Sequence, residues 1–207
     1  AVVPVETTDT DGAAATDAPV MNEVLAISSL ARAVSGNASL SDVGALSWMM
    51  LRNVVPASSM ALFVEDERHD LLTVAYAAGA HAPLLRQLQK ARGGGIAGWA
   101  AVNRRGVLNA DPTLDLGHGA GSLEPPLRSS LTVPLAHEGR IVGVLSCYSS
   151  TPQGFTEDQL RLLELLAASL AAAVAAVAGQ EHASTRPMAP AAPPRRTGTS
   201  NVLVMAR

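Results

Sequence analysis

Three glycines have the spacing that could bind a dinucleotide. Gly93, Gly95 and Gly98 read G-x-G-x-x-G, and the acids Asp111 and Asp115 follow them at a distance that suits a ribose contact. That fingerprint needs a strand before the glycines and a full crossover helix after them, so that a pyrophosphate meets the helix N-terminus. Here an amphipathic helical pattern precedes the glycines and only a brief one follows. The spacing therefore favours a tight turn built on glycine's freedom to adopt positive φ.

Histidines are the second candidate group, since a cluster of them could bind zinc. None of the five lies three or four residues from another histidine or from the cysteine, so the sequence predicts no metal site. His118 falls in a long loop, where it could contact a ligand. The five are His69, His81, His118, His137 and His182.

Cys147 is the only cysteine, which excludes an internal disulfide and any C-x-x-C motif. It lies in an apolar run and is read as a small buried hydrophobe. A reactive thiol needs electropositive neighbours and partial exposure, and the adjacent sequence offers neither. Neither a G-x-S-x-G elbow nor a P-loop occurs. Catalysis is therefore not expected, and a redox enzyme using Cys147 is kept as an alternative.

Composition limits the class of protein. The chain has 207 residues, 48% of them hydrophobic and 16% charged, which suits one domain with flexible ends. A net charge of −3 and an aromatic fraction of 3% argue against direct contact with nucleic acid. No Lys or Arg precedes residue 32, so no secretory signal is expected, and a cytoplasmic protein is predicted. The apolar stretch 160–179 contains Arg161 and Glu164 and is read as a packed helix without membrane insertion.

Three segments follow from charge and proline content. Residues 1–21 are acidic, lack a base and are expected to be disordered. Residues 22–180 form the predicted folded domain. Residues 181–207 are rich in Pro and Arg, which is typical of a linker or of the start of an output region.

Hydrophobic periodicity predicts an α+β fold for the domain. The closing helix has a complete start signal, with Thr156 as N-cap, Gln159 as its capping-box partner and Phe155 facing Leu160. A loop over 111–126 lacks periodicity and is long enough to be functional. The predicted elements are helices over 23–35, 39–54, 81–92, 96–102 and 157–178, and strands over 59–64, 71–76, 106–109, 130–136 and 141–148.

Six sequence pieces, in order and at the right spacing, resemble the GAF domain family of signalling sensor modules. The resemblance covers roughly residues 22–180 and implies a central antiparallel sheet of five or six strands. The terminal helices would pack on one face, and the long loop and short helices would cover a ligand pocket on the other. The pieces include Gly93-x-Gly95-x-x-Gly98-Trp-Ala-Ala, Gly106-Val-Leu-Asn-Ala-Asp111-Pro112, Arg128-Ser-Ser-Leu-Thr-Val-Pro134-Leu, Gly139-Arg-Ile-Val-Gly143-Val-Leu and Phe155-Thr-Glu-Asp158.

Specialised members of that family bring chemistries that this sequence matches poorly. Bilin attachment uses a pocket cysteine that is often followed by histidine, whereas Tyr148 follows Cys147 here. The related free-methionine-sulfoxide reductases cycle through a disulfide between cysteines, which one cysteine cannot form. The cyclic-nucleotide signature of Asn, Lys, Phe, Asp and Glu cannot be placed residue by residue. The cofactor and the effector are therefore left unassigned.

Alternation along the strand 130–136 suggests which side chains face the pocket. Ser130 and Thr132 lie opposite Leu131, Val133 and Leu135, so they face the ligand if the apolar set faces the helices. The expected ligand-binding residues are Phe63, Trp99, Asn109, Asp111, His118, Ser130, Thr132 and Cys147.

The terminal helices carry more apolar surface than one sheet needs. A second stripe of small residues along 157–178 suits close approach of another helix, so a parallel homodimer is expected. The chain is thus interpreted as a non-catalytic small-molecule-sensing and dimerisation domain of a bacterial-type signal-transduction protein. It would relay ligand state to a fused or partner output domain; a ligand-free structural module is the main alternative. The expected interface residues are Val24, Ile27, Leu30, Leu162, Leu166, Leu170, Val174 and Val177.

Overall fold

The computed structural model describes residues 38–66, 68–117, 120 and 123–184. The predicted helix 23–35 with Val24, Ile27 and Leu30, the acidic segment 1–21, His118 and residues 185–207 lie outside the described residues. The helices are α1 (Leu40–Leu51), α2 (Ala82–Leu85), α3 (Gly95–Asn103), α4 (Thr113–Leu116) and α5 (Glu157–Ser184). The strands are β1 (Ser59–Asp66), β2 (Leu71–Gly79), β3 (Gln89–Ala91), β4 (Val107–Ala110), β5 (Ser129–His137) and β6 (Arg140–Ser149).

One six-stranded sheet organises the described residues, in the order β3-β2-β1-β6-β5-β4. Every neighbouring pair is antiparallel. The two predicted hairpins are confirmed, β1 with β2 and β5 with β6, and β1 then pairs with β6 at the centre. The predicted α+β class is confirmed.

A helix-side core lies between one face of the sheet and α1 and α5. The strand residues Leu131, Val133 and Leu135 pack there against Leu163 and Ala171 of α5. This arrangement follows from alternation in β5 and from the helical repeat of α5. The prediction that Leu131, Val133 and Leu135 face the helices is therefore confirmed.

The α5 helix presents one face to the core and leaves the other exposed. Val174 and Val177, expected in a subunit interface, are instead buried in the helix-side core. Leu166 and Leu170 pack partly against that core, and Leu162 is half-buried. The interface prediction is wrong for Val174 and Val177 because their stripe of α5 packs against the sheet. The exposed apolar face consists of Leu165, Ala168, Ala172 and Ala176.

The same helix is long and apolar enough to cross a membrane by length and composition alone. Only 28% of its most apolar 18-residue window is buried. Its Leu163, Ala171 and Val174 nevertheless lie in the core against the sheet. That contact is the packing expected of an amphipathic helix in a folded domain.

Local signals specify the starts of the two long helices. At α5, Thr156 N donates to Gln159 Oε1 at 2.9 Å, and Gln159 N donates to Thr156 Oγ1 at 3.3 Å. This is the predicted capping box. At α1, Ser39 caps the helix and Asp42 returns the bond to the Ser39 backbone. Each box satisfies backbone amides that the first turn would leave unpaired.

The prediction of one helix over 81–92 is wrong. The structure has the four-residue α2 there, followed by β3, which pairs with Leu71–Thr73 of β2. An open strand edge offers backbone hydrogen bonds that outweigh a modest helical pattern over so few residues. The predicted loop over 111–126 also contains the short helix α4.

Candidate functional site

The second face of the sheet forms the loop-side core, which is roofed by the short helices and by the segment after β4. Phe63, Val144 and Tyr148 of the sheet are fully buried there. Ala97 and Ala101 of α3 pack against these three residues, together with Leu85 of α2. Leu127, at the end of the long loop, is also buried in this core. The loop therefore covers the sheet face that the sequence predicted it would.

A polar band crosses this apolar face. It consists of seven side chains, each no more than 5% exposed: Ser59, His81, Asp115, Ser130, Thr132, Ser146 and Tyr148. Thr132 and Ser146 sit directly opposite each other on β5 and β6, and their hydroxyl oxygens are 2.9 Å apart. Ser130 donates to the carbonyl of Ala110 at 3.2 Å. Buried hydroxyls of this kind are stable only while they are hydrogen-bonded.

Asp115 ties the long loop to both α3 and the sheet. Its Oδ1 accepts from the backbone amides of Ile96 at 2.8 Å and Ala97 at 3.3 Å. A carboxylate there satisfies free amides and complements the positive end of the helix dipole. Tyr148 donates its phenolic hydrogen to Asp115 Oδ2 across 3.5 Å. The loop, α3 and β6 thus meet at one carboxyl group.

Burial shifts the acid–base properties of this pair. Burial raises the pKa of Asp115, while the amide hydrogen bonds and the positive charge of Lys90 oppose the rise. Burial also raises the pKa of Tyr148 well above its usual range, and the Asp115 carboxylate adds to that effect. The tyrosine therefore stays a neutral hydrogen-bond donor.

The glycine motif serves packing at this point. Gly95 has φ +65°, and a side chain there would collide with the Asp115 carboxylate. A Cβ at Gly98 would collide with the carbonyl of Ala91, and Gly93 N donates to Gly98 O at 3.0 Å. The amides that would bind a pyrophosphate are bonded to Asp115 instead. The dinucleotide interpretation fails for that reason and because α3 joins antiparallel strands.

Three of the predicted ligand-binding residues lie on this face. Phe63 is part of the loop-side core, and Ser130 and Thr132 belong to the polar band. Phe63, Ser130 and Thr132 are all completely buried. Strand alternation was a sufficient guide to their orientation.

Trp99, Asn109 and Asp111 do not contribute to the face. Trp99 is 44% exposed on the outer surface of α3, because the helix turns its alanines toward the sheet. Asn109 uses both ends of its amide on the backbone of Phe155, at 2.8 and 3.0 Å, and so holds the chain before α5. Asp111 is exposed and accepts from the Thr113 amide at 2.9 Å, which lowers its pKa. Asn109 and Asp111 thus bond to nearby backbone, and the Trp99 side chain lies at the surface.

Cys147 also lies elsewhere, in the helix-side core. Its neighbours Ser146 and Tyr148 belong to the polar band, so alternation turns the thiol to the opposite face. Burial raises the pKa of Cys147 to about 12. The thiolate that a nucleophile or redox centre needs is therefore scarce at neutral pH. This observation disfavours the alternative of a Cys147 enzyme.

Five members of the polar band were not predicted from the sequence as binding residues: Ser59, His81, Asp115, Ser146 and Tyr148. Extending the alternation from β5 to β1 and β6 would have found the three on strands. Asp115 and His81 lie outside strands, where periodicity gives no orientation. Among the described residues, no group of three or more His, Cys, Asp or Glu side chains could hold a metal ion.

Comparison with known proteins identifies one family over most of the described residues. A family model described as GAF domain matches residues 41–175. The GAF domain of a phosphoenolpyruvate-protein phosphotransferase from Coxiella burnetii is 22% identical with a TM-score of 0.57, covering 78% of this chain and 98% of that one. The corresponding Acinetobacter domain is 17% identical with a TM-score of 0.56, at the same coverage.

An enzyme is among the similar structures as well. Free methionine-R-sulfoxide reductase from Neisseria meningitidis, in complex with its substrate, is 24% identical with a TM-score of 0.54. The similarity covers 78% of this chain and 88% of the reductase. No curated protein matches the chain. At these identities the similar structures establish the architecture, and the role of the site has to come from its own side chains.

Proposed function

Because this chain belongs to the GAF domain family, a family of sensor and regulatory modules, we propose that it is a non-catalytic small-molecule-sensing and dimerisation domain of a bacterial-type signalling protein. The polar band on the loop-side face is the observation that carries this proposal. Ligand sites are mostly apolar with a few converging polar groups, and this face has that composition. A fused or partner output domain would receive the signal.

The position of Asp115 supports a binding site that opens. Ligand entry requires α3 and the long loop to move off the sheet, and Asp115 is the group that joins them. In the described residues this cover is held by the hydrogen bonds of Asp115 and by small apolar contacts such as those of Ala97 and Ala101, whereas α1 and the long helix α5 close the opposite face. A ligand that supplied its own hydrogen bonds to the band would stabilise one of the two arrangements and shift their populations.

The ligand-free structural module is the second candidate, and full burial of Phe63 and Tyr148 favours it. In that case the polar band only specifies the packing of the sheet. The two candidates differ in whether the face takes up a small molecule.

Native mass spectrometry of the protein purified from its own cells tests this difference. We expect a retained small molecule, and we expect the double variant Thr132→Val/Ser146→Ala to bind it about tenfold more weakly, as for the loss of one or two net hydrogen bonds. Because both hydroxyl groups of the pair are removed together, neither residue is left with a buried hydroxyl that has lost its partner. Ser169→Ala, on the exposed side of α5, is the control and should retain the molecule. An empty wild-type protein with an intact fold would establish the structural module.

The exposed face of α5 supports the dimerisation part of the proposal. Leu165 is 77% exposed, and Ala168, Ala172 and Ala176 continue the apolar face along the helix. Small residues allow two helices to approach closely, and a two-fold axis would pair this face with itself. A ligand that moves the sheet against α5 would then change the helix pair that leads to the output region.

Light scattering during size-exclusion chromatography measures the association directly. We expect a dimer mass for the wild type and a monomer mass for Leu165→Glu, because the substitution buries a charge in the proposed interface. Leu114→Glu makes the same change at another exposed leucine, 62% exposed on α4, and should remain dimeric. A monomeric wild type at tens of micromolar would refute the dimer.

A further inference from the structure

His81 has a buried ring nitrogen without a partner. The residue is 5% exposed and precedes α2, and its Nε2 has no hydrogen-bond partner in the described part of the chain. Buried polar atoms are nearly always hydrogen-bonded, because water has been removed and nothing replaces it. An unpartnered atom of this kind calls for a group that the described residues do not supply.

Ser59 contacts both the backbone and the ring of His81. Ser59 Oγ accepts from the His81 backbone amide at 3.1 Å and lies 3.1 Å from Nδ1 of the same residue. The amide hydrogen occupies one lone pair of Oγ, so the hydroxyl hydrogen is free to point at Nδ1. With Nδ1 accepting, the neutral ring carries its hydrogen on Nε2. In that tautomer the unpartnered atom is a donor that lacks an acceptor.

The Ser59–His81 pair lies at one end of the polar band. Ser59 is directly opposite Tyr148 in the β1–β6 pairing, so both side chains project from the same face of the sheet. Tyr148 in turn reaches Asp115. Ala82 and Leu85, which follow His81 in the chain, are part of the loop-side core. His81 therefore borders the proposed binding face.

We propose that the Nε2 hydrogen of His81 is the ligand-orienting donor of this face and bonds to a carbonyl or carboxylate oxygen of the bound molecule. This inference rests on the proposed sensing function and adds the chemical class of the ligand. The other buried side chains of the band bond to one another or to backbone. His81 is the one whose hydrogen bond is left for the ligand to complete, and in its absence the bare donor destabilises the closed form.

Nuclear magnetic resonance of protein labelled with ¹⁵N-histidine tests the proposal. The three probes are small molecules that share a benzene ring. Benzamide and benzoate carry the oxygen acceptor, and toluene lacks it. The Hε2 and Nε2 resonances of His81, assigned by their loss in His81→Phe, report the donor, and the Thr132 methyl group reports occupation of the face. We expect the free protein to carry its hydrogen on Nε2. Benzamide or benzoate should shift both reporters, and toluene should shift the methyl group alone.

Two variants separate binding from folding. His81→Phe keeps a planar aromatic ring and removes the donor, so it should weaken binding of the acceptor probe about tenfold while toluene binding and the melting temperature are retained. His81→Gln keeps an N–H donor at a similar reach and should recover part of the affinity. Equal weakening by both variants, or hydrogen on Nδ1 in the free protein, would overturn the assignment.

The failure of this inference is distinguishable from failure of the sensing function. If the acceptor probes move the Thr132 methyl group while Hε2 stays in contact with a bound water, His81 is not the ligand donor and the binding face survives. If no probe moves either reporter, the binding face itself is refuted and the role of His81 with it.

Discussion

Leu163→Ala is expected to lower the free energy of unfolding by about 2–5 kcal/mol, which is the usual cost of deleting a large buried aliphatic side chain. Leu163 is 1% exposed and lies on the core side of α5, where it packs with the leucines of β5. The cavity would form between α5 and β5, two rigid elements that cannot easily close it. Urea denaturation followed by circular dichroism measures the loss.

Leu165→Ala is the matched control, on the same helix and two residues away. Leu165 is 77% exposed, so the same truncation should change stability by no more than about 0.5 kcal/mol in dilute, monomeric protein. A comparable loss in both variants would show that α5 does not face the sheet in the way described. Since Leu165 belongs to the proposed subunit interface, its effect on stability should grow with protein concentration.

Gly98→Ala has the second large expected effect, a loss of about 1–3 kcal/mol from overpacking. A Cβ at this position would collide with the backbone carbonyl of Ala91 and approach the backbone nitrogen of Gly93 at 2.9 Å. Backbone atoms cannot rotate away as side chains can, so α3 would have to lift from the turn that precedes it. A thermal melt of the variant measures the cost.

Gly179→Ala provides the comparison within a helix that has space. A Cβ at Gly179 would meet nothing within 4 Å. Alanine is favoured over glycine in a helix by up to about 1 kcal/mol, so this variant should be as stable as the wild type or slightly more so. Destabilisation of the same size at both glycines would mean that the close approach at Gly98 is not the cause.

Local chemistry made much of the fold predictable. The Thr156–Gln159 capping box, both hairpins and the alternation along β5 depend on residues near one another in the chain, and all are present in the structure. The structure of the segment 81–92 could not be predicted on that basis. Its second half becomes β3 because the β2 edge is available to pair with, and this edge exists only in the assembled sheet.

The polar band shows the same limit for the site. Ser130 and Thr132 were found because strand alternation sets their direction. Asp115 and His81 act through contacts 18 to 22 residues away along the chain, with the α3 amides and with Ser59. No spacing rule connects such pairs. Asn109 and Trp99 were assigned to the site because they lie in segments expected to surround the pocket. In the structure the Asn109 amide bonds to the backbone of Phe155, and Trp99 lies on an exposed surface.

The pairing of β1 with β6 has a consequence for how the chain folds. Ser58 bonds to the carbonyl of Tyr148, a separation of 90 residues, and this pairing runs through the middle of the sheet. Each hairpin can form early from neighbouring sequence, but the centre must wait until β6 has left the ribosome, and contacts so distant in sequence form slowly. Until then β1 has an unpaired apolar edge that can capture another chain. Fragments that end before β6 should therefore aggregate during synthesis.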